Sequence, residues 1–494
     1  MARQSSLKQK AAAGMVWTAL QKYSGMGIQF ISGIILARLL TPYDYGCIGM
    51  LSIFMVLAES FIDGGFGSAL IQKKLPTQED YSTIFWWNLG MAVIMYAVLY
   101  VCAPAISRFY DIPVLCDVLR VQGIVLFIHA FNIVQRNQLR KSLNFKVLSI
   151  VSIITSIIVL LITILMAYKG YGVWALVAHN LVQAAIPAIV FWFVIKWRPV
   201  FTFSKKSFKE LFGFGFYMFW THLIESFSKQ VTGLVIGKVY NPATLGYYSK
   251  ALGTERLASH TISSIMTQVT YPLYAEVQDN RKVMINMIKR LTTTISYITF
   301  PMMFILMLIA KPLFILLYSD RWVQSIPYFQ VLCIAGLAAC LQSVNLQTIS
   351  AIGKSKTMLV WTIVKRCVGL CAMVGGLLLF GMKGLLIGVI INAWFSYFVN
   401  ISLVSKHIGY KWSQQLLDIL PVGIASAASA VVAFFSINYL HLNMYLDGAL
   451  KLVVYAAIYM GWSLIFKPEA YTYFISILPA KLRFWEKIKR AGSV

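Results

Sequence analysis

Long apolar stretches separated by short polar connections run through the whole chain, and this pattern constrains its fold more than any other feature. A helix needs about 20 mostly apolar residues to cross the hydrocarbon core of a membrane. A backbone in lipid must also satisfy its own hydrogen bonds, as a helix does. We therefore predict an all-α polytopic membrane protein with about fourteen transmembrane helices. The predicted spans are 14–38, 46–70, 83–107, 117–138, 145–167, 172–195, 211–237, 245–275, 288–310, 325–352, 357–380, 384–404, 417–438 and 448–466.

Composition and charge pattern agree with this prediction. Only 12% of the 494 residues are charged, whereas a soluble domain carries about 25%. The net charge of +26 comes from short basic clusters in alternate connections, and their scattering between apolar stretches argues against nucleic acid as a partner. These connections hold roughly four times as many Lys and Arg residues as the others, so the positive-inside rule places them and both termini in the cytoplasm.

Two segments of the chain match each other without gaps. Residues 33–46 read GIILARLLTPYDYG, and residues 233–246, 200 positions later, read GLVIGKVYNPATLG. The matched pairs include Gly33 with Gly233, Arg38 with Lys238, Pro42 with Pro242, and Gly46 with Gly246. Six predicted spans separate the copies, so both have the same orientation in the membrane. Parallel repeats of this kind surround a central substrate site in transporters.

The repeat predicts the domain organisation. Two parallel six-helix repeats form an N-terminal lobe, 1–200, and a C-terminal lobe, 201–404, around a central cavity. Two extra transmembrane helices follow at 405–466, and a basic cytoplasmic tail occupies 467–494. A weaker echo supports the repeat, because Phe109-Tyr110-Asp111 follows the third span and Leu317-Tyr318-Ser319-Asp320 follows the ninth.

Polar residues at helical spacing predict the substrate site. Lys22 and Gln29 share one face of the first span, and the 200-residue offset pairs them with His222 and Lys229 on the seventh. An ionisable group at the membrane centre costs about 2.5–3.5 kcal/mol, so such groups face a cavity or a partner. With Arg256 in the eighth span, they predict a cationic cavity that binds phosphate oxygens through charge-assisted hydrogen bonds. The alternative is a polar seam between packed helices.

The remaining ionisable residues in the spans form two groups. Five basic residues lie near span ends, where their long side chains can extend to the headgroups: Arg120, Lys250, Lys365, Arg366 and Lys451. Among the acidic residues, Glu59 and Asp63 share one face of the second span, and Glu225 lies on the polar face of the seventh. These three carboxylates either pair with cavity cations or bind a coupling ion, H⁺ or Na⁺.

The sequence predicts no metal centre, no cofactor and no enzyme. Its seven cysteines form no CxxC arrangement, alone or combined with spaced histidines. There is no Walker motif, no HExxH and no nucleotide-sugar domain. The external connections are also short, whereas a membrane polysaccharide polymerase, the distant alternative, presents catalytic groups in a sizeable external loop.

Several short segments carry a family resemblance. They are DGGFGSALIQ (63–72), YSTIFWWN (81–88), RKSLNF (140–145), LGYYSKAL (245–252) and YPLY (271–274). In this order they resemble the polysaccharide transporter family. Its members are Wzx-type flippases of the multidrug/oligosaccharidyl-lipid/polysaccharide exporter superfamily.

The resemblance implies two six-helix lobes around a cavity that alternates between inward- and outward-facing states, without ATP hydrolysis. It implies an undecaprenyl-pyrophosphate-linked oligosaccharide as the substrate. This substrate would move from the cytoplasmic to the periplasmic leaflet of a bacterial inner membrane, for O-antigen, capsule or exopolysaccharide synthesis. Membrane lipids and other polysaccharide-assembly membrane proteins are the implied partners. The thirteenth and fourteenth spans would help to form a groove for the lipid tail.

Two alternatives come from the same superfamily. A multidrug/cation antiporter usually has twelve spans and an acidic cavity, so the predicted fourteen spans and basic excess argue against it. A lipid II-type flippase is closer, and the segments quoted above favour the polysaccharide branch over it.

Overall fold

Helices form nearly all of the structure. The computed structural model describes residues 2–73, 75–142, 144–277, 280–352, 354–438 and 442–472. The helices are α1 (Ala2–Leu39), α2 (Pro42–Asp63), α3 (Phe66–Gln72), α4 (Gln78–Tyr110), α5 (Val114–Gln122), α6 (Ile124–Lys141), α7 (Phe145–Tyr168), α8 (Val173–Val194), α9 (Lys205–Val239), α10 (Pro242–Glu276), α11 (Arg281–Leu308), α12 (Ala310–Tyr318), α13 (Ser325–Ala351), α14 (Ser355–Ile408), α15 (Trp412–Asn438) and α16 (Met444–Phe466). The predicted all-α class is confirmed.

Within the described ranges, ten helical stretches are long and apolar enough to cross a membrane. They comprise α2 with α3, α4, α5 with α6, α7, α8, α11, α13, α14, α15 and α16. The long helices outside this set are α1, α9 and α10, which carry Lys22, Lys229 and Arg256 among other polar residues. The chain is a multi-pass membrane protein, and the total of fourteen crossings stays a prediction.

The repeated motif begins a helix in both of its copies. Before α2, the Thr41 hydroxyl accepts a hydrogen bond from the Asp44 N–H, and the Asp44 carboxylate accepts one from the Thr41 N–H. Before α10, Asn241 Oδ1 accepts a hydrogen bond from the Thr244 N–H at 2.8 Å. In each copy a proline follows as the first helical residue, where its missing N–H is harmless. The motif is therefore a helix start with its own cap.

The two helix starts pack against each other reciprocally. A Cβ on Gly46 would lie 1.7 Å from the carbonyl oxygen of Pro242, and a Cβ on Gly246 would lie 1.9 Å from that of Pro42. Both positions therefore require glycine. Each proline precedes its glycine by one helical turn, so the two lie on the same face. Each copy of the motif thus supplies the surface on which the other copy packs.

The two copies of the weaker echo also have related local structure, since each includes the end of a helix. Helix α4 ends at the buried Tyr110, and Asp111 follows with φ 57°. Helix α12 ends at the buried Tyr318, and Ser319 follows with φ 82°. In both copies a residue of positive φ follows the tyrosine, but only Asp111, with ψ 37°, has the left-handed conformation that commonly ends a helix, whereas Ser319 has ψ 172°.

Helix α14 is two helices joined by a sharp break. Phe380 has φ −131°, and Gly381 has φ 60° and ψ −141°, a conformation that favours glycine. The arms fold back on each other, because a Cβ on Gly376 would lie 2.2 Å from the carbonyl oxygen of Gly384. Further along, a Cβ on Gly388 would lie 2.5 Å from that of Ala372. The break falls between the predicted spans 357–380 and 384–404, so α14 contains both.

The chain divides into two compact units, Met1–Ser249 and Lys250–Val494. In the first unit, α9 packs against α2, α3 and α4, and α1 packs against α7. In the second, α11 packs against α13, α15 and α16, and α13 packs against α14. The lobe boundaries inferred from the repeat stay a prediction. Most of the predicted basic tail, 473–494, lies outside the described residues.

Buried tyrosines hold the last two helices onto the second unit. The Tyr297 hydroxyl of α11 donates to Ser463 Oγ of α16 at 2.9 Å. The Tyr459 hydroxyl of α16 donates to the carbonyl oxygen of Tyr297 at 3.0 Å. Lys289 Nζ of α11 also lies 3.2 Å from Asp418 Oδ1 of α15. Helices α15 and α16 are therefore integral to the unit, and their role in a lipid-tail groove stays a prediction.

Candidate functional site

The polar face predicted on the first span lies on α1. Helix α1 packs on α7, where Ser149 Oγ donates a hydrogen bond to the carbonyl oxygen of Trp17 at 2.9 Å. On the polar face, Lys22 is half-buried and Gln29 is exposed. A Cβ on Gly25, which lies between them, would meet no atom within 4 Å. This part of the face is therefore open to a ligand.

The matching face on α9 carries a histidine and an ion pair. His222, Glu225 and Lys229 are all exposed. Lys229 Nζ lies 2.7 Å from Glu225 Oε1, one turn earlier, and the two side chains are 53% and 47% exposed. An anion can reach the ammonium group without displacing packed side chains, so Lys229 can exchange one anionic partner for another.

Two carboxylates on α2 have histidine neighbours. Glu59 Oε1 lies 3.4 Å from Nδ1 of His129, a residue of α6. One turn later, Asp63 accepts hydrogen bonds from backbone N–H groups in the Gly65–Gly67 segment and lies within electrostatic range of His222. The charge of an imidazole changes close to neutral pH. Each carboxylate therefore lies beside a group that can carry the opposite charge.

A glycine turn holds Asp63 at the end of α2. Gly64 and Gly65 have φ 53° and 75°, in the left-handed region that glycine tolerates. A Cβ on Gly65 would lie 2.1 Å from the carbonyl oxygen of Gly215 on α9, so the turn and α9 are in backbone contact. Phe66 then packs into an aromatic cluster with Trp87, Phe208 and Phe212. The sequence DGGF is thus the packing surface between α2 and α9.

Two lysines, Lys73 and Lys141, stabilise the region around α3 in the first unit. Lys73 Nζ lies 3.0 Å from Asp80 Oδ2 and 3.0 Å from Glu210 Oε2. Burial lowers the pKa of Lys73, but the two carboxylates outweigh burial and raise this pKa overall. Lys141 donates to the carbonyl oxygens of Leu70 and Ile71 at 3.0 and 3.1 Å, and to that of Lys73. It thereby satisfies carbonyl groups that the end of α3 leaves unpaired.

The predicted substrate residues belong to both units. Lys22, Gln29, His222 and Lys229 belong to the first unit, together with the carboxylates Glu59, Asp63 and Glu225. Arg256 belongs to the second unit and has an exposed side chain on α10. Its neighbour Glu255 is buried.

The prediction that basic residues near span ends extend to the headgroups is wrong for Lys250 and Lys451. Their side chains are buried, with relative exposures of 9% and 6%. Lys250 Nζ lies 4.1 Å from the centre of the Tyr318 ring, a cation–π contact. Lys451 Nζ lies 2.7 Å from Asp447 Oδ2. Partners distant in sequence or one helical turn away thus hold these cations inside the protein.

Other basic residues of this group also have protein partners. Lys365 Nζ donates to Asn400 Oδ1 at 2.9 Å across the two arms of α14. The Arg120 guanidinium lies 4.3 Å from the centre of the Tyr100 ring. These contacts explain how α5 and α14 carry charge within apolar surroundings.

His129 was not among the residues predicted for the site. It comes from α6, and no local spacing relates it to Glu59 on α2. The available signal was that an ionisable residue within a membrane span is a functional candidate by default. In the described parts of the chain, no group of three or more His, Cys, Asp or Glu side chains could hold a metal ion. The side chains described above are cations, carboxylates and imidazoles.

Comparison with known proteins finds a matching family model and several similar proteins. A family model described as polysaccharide biosynthesis protein matches residues 35–327. The teichuronic acid biosynthesis protein TuaB of Bacillus subtilis (strain 168) is 24% identical over 467 residues, which cover 91% of this chain and 94% of TuaB. The lipopolysaccharide biosynthesis protein WzxC of Escherichia coli (strain K12) is 22% identical over 441 residues, covering 86% and 89%. The succinoglycan biosynthesis transport protein ExoT of Rhizobium meliloti (strain 1021) is 24% identical over 397 residues, covering 80% and 78%.

Solved structures share the fold. The lipid II flippase MurJ, in an inward closed conformation, superposes with a TM-score of 0.71 at 14% identity, covering 92% of this chain and 98% of MurJ. An inward-facing multidrug resistance transporter of the MATE family superposes with a TM-score of 0.62 at 15% identity, covering 80% and 98%. This likeness shows the fold alone, and it agrees with the predicted all-α membrane class.

Proposed function

Because this chain belongs to the family of polysaccharide biosynthesis proteins, we propose that it is a flippase for undecaprenyl-pyrophosphate-linked oligosaccharides. It moves them from the cytoplasmic to the periplasmic leaflet of a bacterial inner membrane, and both of its termini are cytoplasmic. Two findings together support the proposal: the chain belongs to this family, and it shares the fold of the lipid II flippase MurJ. The exported units serve the synthesis of a surface polysaccharide.

The open polar faces of α1 and α9 support a pyrophosphate-binding role. A pyrophosphate carries several negative charges, and Lys and Arg hold such groups through charge-assisted hydrogen bonds. Lys22 and Lys229 are the cations on these faces, with Gln29 and His222 as additional hydrogen-bonding groups. Arg256, in the second unit, is a further predicted substrate residue. The ion pair of Lys229 with Glu225 keeps the ammonium group compensated while no substrate is bound.

Movement of the substrate follows alternating access without nucleotide hydrolysis. The energy then comes from a coupling ion, H⁺ or Na⁺. Glu59 with His129, and Asp63 with its neighbour His222, are the groups that bind it in the first unit. An imidazole within reach of a carboxylate favours H⁺, because hard cations such as Na⁺ prefer several oxygen ligands.

Deletion of the gene in its host tests the transport proposal. Undecaprenyl-pyrophosphate-linked oligosaccharide should accumulate on the cytoplasmic leaflet while surface polysaccharide is lost. Accumulation of lipid II instead would assign the protein to the lipid II-type flippases. Unchanged surface polysaccharide with new sensitivity to cationic dyes would assign it to the multidrug/cation antiporters.

Alanine variants test the binding site. Lys22→Ala and Lys229→Ala should each reduce export about 10-fold or more, because a hydrogen bond to a charged group contributes about 1.5–3 kcal/mol. Lys206→Ala is the matched control, since it removes an exposed lysine from the first turn of α9. All three proteins should reach the membrane in equal amounts. Wild-type export by both site variants would reject these cations as the pyrophosphate ligands.

A further inference from the structure

One buried carboxyl group in the second unit has no assigned part in the transport function proposed above. Glu255 on α10 is only 5% exposed. Its Oε1 atom lies against Gly336 of α13, where an added Cβ would come within 2.4 Å of that oxygen. Gly336 therefore provides the space that the carboxyl group occupies. Ser259, one turn along α10, hydrogen-bonds to the carboxyl group, but Oε1 accepts no hydrogen bond from the residues that the structure describes.

The groups that face Glu255 offer little compensation for a negative charge. The thiols of Cys333 and Cys340 on α13 lie within electrostatic range of Glu255, and Met303 of α11 contacts the same glycine position. The charged neighbour supplied by α10 is Arg256. Arg256 is the next residue in the helix, so its side chain leaves the helix about 100° away, and it is exposed.

Burial of an ionised carboxylate in such surroundings is costly. An isolated buried charge costs several kcal/mol unless it is paired and hydrogen-bonded. A protonated carboxyl group avoids this cost, and a serine hydroxyl can donate to it or accept from it. The packing of α10 on α13 is thus compatible with the neutral acid and opposes the carboxylate.

The carboxylate of Glu59 in the first repeat has different neighbours from that of Glu255. The position equivalent to Ser259, 200 residues earlier, is Glu59. Glu59 has an imidazole neighbour in His129 at 3.4 Å and is partly exposed. In the second unit Glu255 lies one turn earlier than Ser259 and faces Gly336 of α13. Glu59 and Glu255 therefore lie in different surroundings.

We propose that Glu255 is a proton-binding site that is occupied while α10 packs on Gly336. The proton leaves when movement of α10 brings the carboxyl group to water, and this coupling to transport rests on the flippase function proposed above. The chemical class of the ligand is the proton itself. The group differs from the coupling candidates in the first unit in its location, and no imidazole lies beside it among the side chains that the structure describes.

Infrared spectroscopy of the purified full-length protein in lipid nanodiscs tests proton occupancy directly. A protonated carboxyl group has a C=O stretching band that a carboxylate lacks. At neutral pH the wild-type protein should show this band, and Glu255→Gln should lack its contribution. Glu210→Gln is the matched control, because Glu210 is exposed and paired with Lys73, and it should leave the band unchanged. An identical band in wild type and Glu255→Gln at neutral pH would overturn the proposal.

Two further variants test the same site in case Glu255→Gln does not fold. Glu255→Asp keeps a carboxyl group and should shift the band without removing it. Gly336→Ala fills the space beside Oε1 and should reduce the band by expelling the carboxyl group. A band unaffected by either change would count against the site.

A transport assay in everted vesicles separates this proposal from the general function. An imposed pH gradient should accelerate flipping by the wild-type protein, and Glu255→Gln should lose the acceleration. If the infrared band is present but no lipid-linked oligosaccharide is flipped, the proton site stands and the proposed substrate fails. If flipping occurs with an equal pH response in Glu255→Gln, the coupling role of Glu255 is rejected while the flippase function stands.

Discussion

Replacement of Gly46 or Gly246 by alanine should force the starts of α2 and α10 apart. The added Cβ atoms would lie 1.7 and 1.9 Å from carbonyl oxygens of Pro242 and Pro42, whereas contacts under 3.0 Å essentially never occur. The obstructing atoms belong to the backbone, so no side-chain rotation relieves the clash. The helix starts must therefore separate by roughly 1 Å or more, which is an overpacking strain.

The expected loss of stability follows from two opposing effects. Overpacking costs about 1–3 kcal/mol, and a backbone clash belongs at the upper end of this range. Alanine in place of glycine within a helix stabilises the helix by about 1 kcal/mol. The net loss is about 2 kcal/mol for each single variant. For a unit of about 250 residues this corresponds to a decrease of roughly 4–8 °C in melting temperature.

Thermal unfolding of the purified protein in detergent measures this decrease. Gly253→Ala is the matched control, because it makes the same change on α10 where a Cβ meets no atom within 4 Å, and its melting temperature should be unchanged or slightly higher. The double variant Gly46→Ala/Gly246→Ala should lose less than the sum of the singles, since one separation relieves both clashes. If both single variants melt like Gly253→Ala, the reciprocal contact is not close-packed and the reasoning fails.

Three further substitutions test other parts of the fold. Lys141→Met should cost about 1–3 kcal/mol by leaving carbonyl groups at the end of α3 without a donor, and an unchanged melting temperature would contradict the cap. Gly381→Ala should cost about 1–3 kcal/mol, because an L residue is strained there, whereas Gly375→Ala, a position with nothing within 4 Å, should be neutral. Tyr459→Phe should cost about 1 kcal/mol through the lost hydrogen bond to Tyr297, in contrast to the exposed Tyr445→Phe.

Features set by local sequence could be predicted. Apolar runs of sufficient length gave the helices, and the break between the predicted spans 357–380 and 384–404 coincides with Gly381. The capped helix starts at Thr41 and Asn241 were not predicted, although a short polar side chain before a proline is a local signal for them. These signals depend on a few neighbouring residues, so a single sequence contains them in full.

Features set by distant contacts could not be predicted. Lys250 near a span end suggested a side chain directed to the headgroups, but α12 places Tyr318 over its ammonium group. His129 gave no sign of its proximity to Glu59, because the two helices meet only in the folded chain. Nothing in the sequence singled out Gly336. It matters because the Glu255 carboxyl group occupies the space that a side chain at this position would fill. Each case depends on which helices become neighbours, and periodicity within one helix does not contain that information.

The reciprocal contact of the two helix starts also bears on the history of the chain. The obstructing atoms are backbone atoms of Pro42 and Pro242, which any residue at those positions would present, so Gly46 and Gly246 must remain glycine in both copies. Elsewhere the copies face different neighbours and are free to diverge. A duplicated gene would therefore retain its internal similarity longest at the place where its two products touch, and this is the place at which the printed sequence still shows it.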